Sequence, residues 1–127
     1  MYRADLAPLI DHTVLGPTTT WEDVRAVLDT ALGEGMRACI PPCHVAAASE
    51  YAPTVEASTV VGFPHGQHVT ELKCTEAHQA WEDGAAELDM VANVGAVVAG
   101  ERETVRTDIA AVVAAVPILL GGDPANL

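Results

Sequence analysis

The chain has 127 residues, half of them apolar, and a formal net charge of -12. This length suits one domain with one hydrophobic core, and the apolar content excludes a disordered chain. The negative charge repels nucleic acid phosphates and anionic lipids, so we expect neither nucleic acid nor a membrane as a partner. The three cysteines, Cys39, Cys43 and Cys74, form no even disulfide framework, and we expect a reduced, cytoplasmic protein.

The first part of the chain predicts helices that alternate with short strands. The segment LAPLIDHTVL predicts a short helix that leads into a first strand. TWEDVRAVLDTALGEG predicts an amphipathic helix with its N-cap at Thr20 and with Leu32 on its apolar face. MRACIP predicts a second short strand, which two prolines close.

The alternation continues through the middle of the chain. HVAAASEYA predicts an Ala-rich helix, and ASTVVGF predicts a third strand. VTELKCTEAHQAWEDG predicts a helix that carries Leu72 on its apolar face and stops at Gly84.

Two carboxylates lie inside the stretch GAAELDMVANVGAVVAG, residues 84 to 100, which reads as a buried strand. Glu87 and Asp89 would point to the same side of this strand, because side chains change faces at every residue. ERETVRTDIAAVVAAV then predicts another amphipathic helix, and VPILL predicts a fifth strand or a remnant of one.

Strands separated by helices of this length form parallel sheets with right-handed crossovers. A doubly wound sheet normally has a Gly-rich phosphate loop after its first strand, and DHTVLGPTTT does not match that loop. A (β/α)₈ barrel instead collects functional groups at the ends of its strands. Such groups follow the predicted strands here: Asp11, His12, Thr13, Cys39, His65, Asp89 and Asn93. We therefore predict an α/β fold of parallel βα repeats, in which residues 1–127 form a single domain of four to five βα units, a partial (half) TIM (β/α)₈ barrel.

Three separated segments resemble the deoxyribose-phosphate aldolase family: LIDHTVLGPTTTWEDV, GFPHGQHVTELK and GAAELDMVANVGAVVAGERETVRTDI. They occur in the family's order and extend from about residue 6 to about residue 112. The resemblance implies a class I aldolase with a (β/α)₈ barrel. Its reaction would be the reversible cleavage of 2-deoxyribose 5-phosphate to glyceraldehyde 3-phosphate and acetaldehyde, without a metal or another cofactor.

The resemblance also implies roles for individual residues. Asp89 matches the family's acid that moves protons between the imine and the enamine of acetaldehyde. Asp11 matches the second acid of the site, and Cys39 matches a small residue of the pocket wall. Thr13 and Asn93, at the ends of the first and fourth strands, complete the predicted substrate pocket.

The imine-forming lysine of the family is on the sixth strand, and a second lysine on the seventh strand lowers its pKa. This sequence contains one lysine, Lys73, which lies on a predicted helix, where we expect a solvated surface residue. The chain therefore resembles the N-terminal half only, without the Schiff-base lysine. Two hypotheses stay open: an aldolase-family enzyme, and a noncatalytic half barrel that self-assembles.

An open four-stranded sheet would expose two strand edges and an inner face that a complete barrel covers. Two copies could close this gap, so we predict a homodimer or a higher homo-oligomer, or a rearranged, flattened sheet. By resemblance, the other partner is a sugar phosphate or an aldehyde. For Glu87 we expect a structural role, such as a pair with an arginine.

A metal site is an alternative that the loops suggest. PPCH follows the second predicted strand and HGQH follows the third, which places both loops at the same end of a barrel. Sulfur and imidazole are zinc ligands, so the candidate ligands are Cys43, His44, His65 and His68. Their spacing matches no zinc finger, and our first prediction is that the protein has no metal.

Overall fold

The computed structural model describes residues 3–116, and within them four parallel strands form one sheet in the order β1-β2-β3-β4. The strands are β1 (Asp11–Thr13), β2 (Arg37–Cys39), β3 (Ala57–Val61) and β4 (Glu87–Met90). Each strand pairs in parallel with the next one in the sequence. This sheet confirms the prediction of parallel βα repeats.

The α-helices within the described residues are α1 (Arg3–Leu6), α2 (Trp21–Glu34), α3 (Val45–Tyr51), α4 (Thr70–Glu82), α5 (Val94–Val98) and α6 (Arg102–Ala115). Of these, α2, α3 and α4 connect the strands and, together with α6, cover one face of the sheet. The predicted fifth strand, VPILL, lies outside the described residues. No helix in residues 3–116 combines the length and the hydropathy that a membrane crossing requires.

The start of α2 forms as the sequence predicts. The Thr20 side chain accepts the backbone N–H of Asp23, and the Asp23 carboxylate accepts the backbone N–H of Thr20, which completes a capping box. Val24 and Leu28 are buried against the sheet. Leu32 is 57% exposed, so its predicted place on the buried face was wrong.

The buried face of α4 differs from the prediction at Leu72, whose place Lys73 takes. Leu72 is 60% exposed, whereas Lys73, Ala77 and Ala80 are buried. These three positions lie four and three residues apart, which is the spacing of one helical face. The pattern was misread because a lysine occupies a core position of the helix.

The stretch from 84 to 100 is only partly a strand, which corrects the prediction. Its extended part is β4, four residues long, and α5 follows after a short turn. Asn93 begins this helix, because its side-chain oxygen accepts the backbone N–H of Ala96. In the described part of the chain β1 and β4 are the edge strands, so Asp89 lies on an edge strand.

Candidate functional site

The face of the sheet that the helices leave open carries most of the predicted site residues. Ala38, Ile40 and Leu88 pack against the helices. Their neighbours along the strands point the other way, because side chains alternate. We call this open side the inner face; it carries Asp11, Thr13, Arg37, Cys39, Ser58, Val60, Glu87 and Asp89.

The strand register brings residues of four strands together on the inner face. Cys39 is aligned with Thr13 on one side and with Ser58 on the other, and Asp89 is aligned with Val60. Asp11 and Asp89 are both exposed in the single chain. Two acids that are far apart in the sequence therefore share one solvent-facing surface.

Partial burial raises the pKa of Asp89, and the negative charges of Asp11 and Glu87 raise it further. An acid with a raised pKa takes up and releases a proton closer to neutral pH than an ordinary aspartate does. The predicted proton-transfer residue therefore lies in an environment that suits this task.

Cys39 is buried in the wall of the inner face. Burial raises the pKa of its thiol to about 11, with smaller contributions from the charges of Asp89, Asp11 and Glu87. A thiol with this pKa stays protonated at neutral pH and is a poor nucleophile. The environment suits the predicted role of Cys39 as a wall residue.

Glu87 forms a structural ion pair, as we predicted. Arg37 donates from Nη1 to Glu87 Oε1 at 2.5 Å, and Ser58 Oγ lies 3.5 Å from the same oxygen. The Arg37 guanidinium also pairs with Glu56 through Nε at 3.0 Å. Because an arginine holds it, Glu87 differs from Asp89, for which the described residues show no ion pair.

The two predicted pocket residues have local hydrogen bonds. Thr13 Oγ1 donates to the backbone carbonyl of Asp11 at 2.8 Å, and Asn93 caps α5 at 3.1 Å. Both lie at the carboxyl ends of strands β1 and β4, where the predicted substrate would bind. Their contact with substrate stays a prediction.

The loops after the first three strands surround a cleft at the same end of the sheet. Its volume is about 280 Å³, and Leu15, Pro41, Phe63 and Val60 contribute apolar surface to it. Val60 belongs to the inner face, but Asp11, Cys39 and Asp89 do not line the cleft, and Glu76 of α4 does. The loop after β3 packs closely on the turn after β4. Gly66 lies so near to Ala92 that a Cβ on Gly66 would overlap the carbonyl of Ala92.

The geometry gives no support to the metal alternative. Residues 3–116 contain no group of three His, Cys, Asp or Glu side chains that could hold a metal ion. His44 instead lies against the ring of Trp21, with 6.1 Å between the ring centroids. The four candidate ligands, Cys43, His44, His65 and His68, therefore do not come together as a site.

Lys73 is not the solvated surface residue that we expected. Its side chain is 1% exposed, and its Nζ donates to Asp108 Oδ2 at 2.7 Å and to the carbonyl of Val91 at 3.1 Å. Asp108 is buried as well and accepts a hydrogen bond from Thr70 Oγ1 at 2.7 Å. The sequence does contain a signal for this burial, since Lys73 shares a helical face with Ala77 and Ala80.

The relatives of the chain come from one enzyme family. It is 57% identical over 118 residues to the deoxyribose-phosphate aldolase of Natronomonas pharaonis, covering 93% of this chain and 55% of that protein. It is 56% identical over 114 residues to the enzyme of the same name from Haloarcula marismortui, covering 90% and 49%. By sequence, the chain is a homologue of deoxyribose-phosphate aldolases. It spans about half the length of these relatives.

Solved structures agree with this homology. The deoxyribose phosphate aldolase of Aeropyrum pernix, described as having a unique tetrameric structure, superposes with a TM-score of 0.81 at 32% identity, covering 93% of this chain and 50% of that one. An aldolase called QR15 superposes with a TM-score of 0.84 at 31% identity, covering 89% and 52%. No protein family model matches the chain. The structure of the Aeropyrum pernix deoxyribose phosphate aldolase has the TIM-barrel fold, which confirms the prediction of a partial barrel.

Replacing Asp89 by asparagine is expected to raise the melting temperature of the chain at neutral pH. The raised pKa of Asp89 means that its ionised form disfavours the folded state. This penalty is absent below the ordinary aspartate pKa of about 3.9 and is complete above the raised value. Thermal unfolding over an acid-to-neutral series should show that the advantage of Asp89→Asn grows as pH rises. A difference that does not change with pH would contradict this prediction.

Proposed function

We propose that the chain contributes the two acids of an aldolase site that cleaves 2-deoxyribose 5-phosphate to glyceraldehyde 3-phosphate and acetaldehyde. The observation that supports this best is the presence of Asp11, Cys39 and Asp89 on one inner face of a chain 57% identical to a deoxyribose-phosphate aldolase.

The reaction needs an amine and a group that moves protons. The amine adds to the aldehyde carbon of the open-chain sugar and water leaves, which gives an imine. When the bond between C2 and C3 breaks, the C3 hydroxyl loses its proton and the bonding electrons form an enamine. A proton then returns to the enamine carbon, and water hydrolyses the acetaldehyde imine. We assign the two proton transfers to Asp89, whose pKa is raised.

Lys73 is a poor candidate for the amine. Its Nζ is held by Asp108 and by the Val91 carbonyl, and its side chain is nearly inaccessible to solvent. It also lies on α4, on the side of the sheet opposite to the inner face. Because the sequence has no other lysine, the proposal requires a second polypeptide segment that completes the barrel and supplies the amine.

Borohydride trapping tests this proposal. The chain would be mixed with the part of the Natronomonas pharaonis relative that it does not cover, and acetaldehyde and borohydride would be added. We expect a stable mass increase on a lysine of the added segment and none on Lys73. The chain alone is the matched control and should stay unmodified. An adduct on Lys73, or no adduct in the mixture, would overturn the proposal.

The open inner face favours a second candidate function, a noncatalytic half barrel that self-assembles. The edge strands β1 and β4 have no neighbour on one side within residues 3–116. Val94, Val97 and Val98 are also exposed near the β4 edge. Sedimentation of the chain alone should then show a homodimer or a larger species, because bare edges and apolar surface favour pairing. A monomer at all concentrations would exclude this function.

A further inference from the structure

A buried cation lies directly behind the end of β4. Lys73 Nζ is bonded to two elements besides its own helix: to α6 through Asp108 Oδ2 at 2.7 Å, and to the turn after β4 through the Val91 carbonyl at 3.1 Å. Val91 is two residues beyond Asp89 and two residues before Asn93, which caps α5. The lysine therefore holds the segment that joins these two predicted site residues.

The same helix also holds the end of β3. Glu76, one turn after Lys73, accepts the backbone N–H of Gly62 at 2.7 Å. Gly62 has a φ of 68°, and a Cβ at this position would lie 2.9 Å from Lys73 Cε. The lysine side chain thus passes directly under the end of β3 on its way to Val91. One face of α4 fixes the carboxyl ends of two neighbouring strands.

Packing alone does not explain a charged pair at this place. Replacing a buried ion pair by apolar side chains of similar volume is often neutral or even stabilising. What an apolar side chain cannot do is donate a hydrogen bond to the Val91 carbonyl. This hydrogen bond therefore requires the ammonium group of Lys73, whereas the packing does not.

We propose that Lys73 is a positioning residue: through its hydrogen bond to Val91, and with Asp108 as its anchor on α6, it fixes the β4 segment that presents Asp89 and Asn93 on the inner face. The role in catalysis rests on the proposed function, whereas the positioning of Asp89 can be measured in the chain itself. A failure of the positioning role of Lys73 is therefore distinguishable from a failure of the proposed aldolase function.

The test removes the pair without leaving a buried charge. The double variant Lys73→Met with Asp108→Leu would be compared with Arg106→Met with Glu103→Leu, which removes an exposed pair on the same α6 helix. The readout is the titration of the Asp89 carboxyl group, followed by carbon-detected NMR. Partial burial and nearby charges now raise the pKa of Asp89, so a displaced β4 end should let that pKa fall toward the ordinary value of about 3.9.

A second readout follows the cap of α5. The amide of Ala96, which donates to Asn93, should exchange with solvent about tenfold faster in the Lys73 and Asp108 double variant, because the turn before it is no longer held. The Arg106 and Glu103 control should leave both the Asp89 titration and this exchange rate unchanged. A folded double variant with the wild-type Asp89 titration and the wild-type Ala96 exchange would overturn the proposal.

A backbone variant keeps the proposal testable if the double variant does not fold. Ala92→lactic acid, introduced by nonsense suppression, turns the Val91 carbonyl into an ester carbonyl, which is a weaker acceptor, and retains the ion pair of Lys73. We expect the same fall in the Asp89 pKa. An Asp89 titration that does not change in this variant would also overturn the proposal.

Discussion

Lys73→Ala is expected to lower the free energy of unfolding by about 3–5 kcal/mol, which is the usual cost of leaving one member of a buried ion pair alone. The variant leaves the Asp108 carboxylate buried without its cation, with Thr70 Oγ1 as its remaining hydrogen-bond donor in the described residues. It also removes the hydrogen bond to the Val91 carbonyl. Urea denaturation followed by circular dichroism measures the change.

The matched control for Lys73 is Arg106→Ala. Arg106 also pairs with an acid, Glu103, but both side chains are exposed and their attraction is screened by water, so we expect little or no loss of stability. The double variant Lys73→Met with Asp108→Leu should regain most of the stability that Lys73→Ala loses, because no unpaired charge stays buried. Equal losses for Lys73→Ala and Arg106→Ala would show that the Lys73 ion pair is not buried in solution.

Gly66→Ala is expected to cost about 2–5 kcal/mol, since it combines an unfavourable backbone conformation with a steric overlap. Gly66 has a φ of 69°, in the left-handed region that disfavours a residue with a Cβ. The added methyl group would also overlap the carbonyl of Ala92, which is backbone and cannot move as a side chain does. The loop after β3 would have to separate from the turn after β4.

Gly100→Ala separates the two contributions to the Gly66 effect. Gly100 has a similar φ of 72°, but a Cβ there meets no atom within 4 Å. We expect it to cost only the conformational part, about 1–2 kcal/mol. Thermal unfolding of both variants measures the difference. If the two variants were equally stable, the loop after β3 would not contact Ala92 as closely as the structure shows.

Much of the fold could be predicted from the sequence, because helix caps and side-chain alternation depend only on residues that are close together in the chain. The capping box of Thr20 and Asp23 needs only residues within one helical turn. The common face of Glu87 and Asp89 follows from the alternation of side chains along a strand. These signals do not depend on the rest of the molecule, and the structure confirms both.

The errors concern features that depend on distant residues. Leu72 was assigned to the buried face of α4 by its apolar character, whereas the structure buries Lys73 there. That burial is possible because Asp108, 35 residues later, provides a charge partner. A periodicity analysis of one helix cannot detect such a partner. The boundary between β4 and α5 was missed because the apolar residues on both sides of Asn93 fit either a strand or a helix.

The site was predicted from the resemblance more than from the pattern of residues. Asp11, Cys39 and Asp89 are separated by many residues, and only the parallel register of four strands brings them to one face. The raised pKa of Asp89 depends on that arrangement, because partial burial and the charges of Asp11 and Glu87 produce it. The sequence predicted that Glu87 pairs with an arginine, but it did not identify Arg37 as that arginine.

The most direct test of the central claim is the rate of 2-deoxyribose 5-phosphate cleavage by the chain mixed with the part of the Natronomonas pharaonis relative that it does not cover. We expect cleavage with the wild-type chain, a rate about 10²- to 10⁴-fold lower with Asp89→Asn, and the wild-type rate with Glu50→Gln, which alters an exposed acid on α3. The Asp89→Asn chain should still bind the added segment, as sedimentation can verify. An Asp89→Asn mixture that cleaves the sugar phosphate as fast as the wild type would contradict the account.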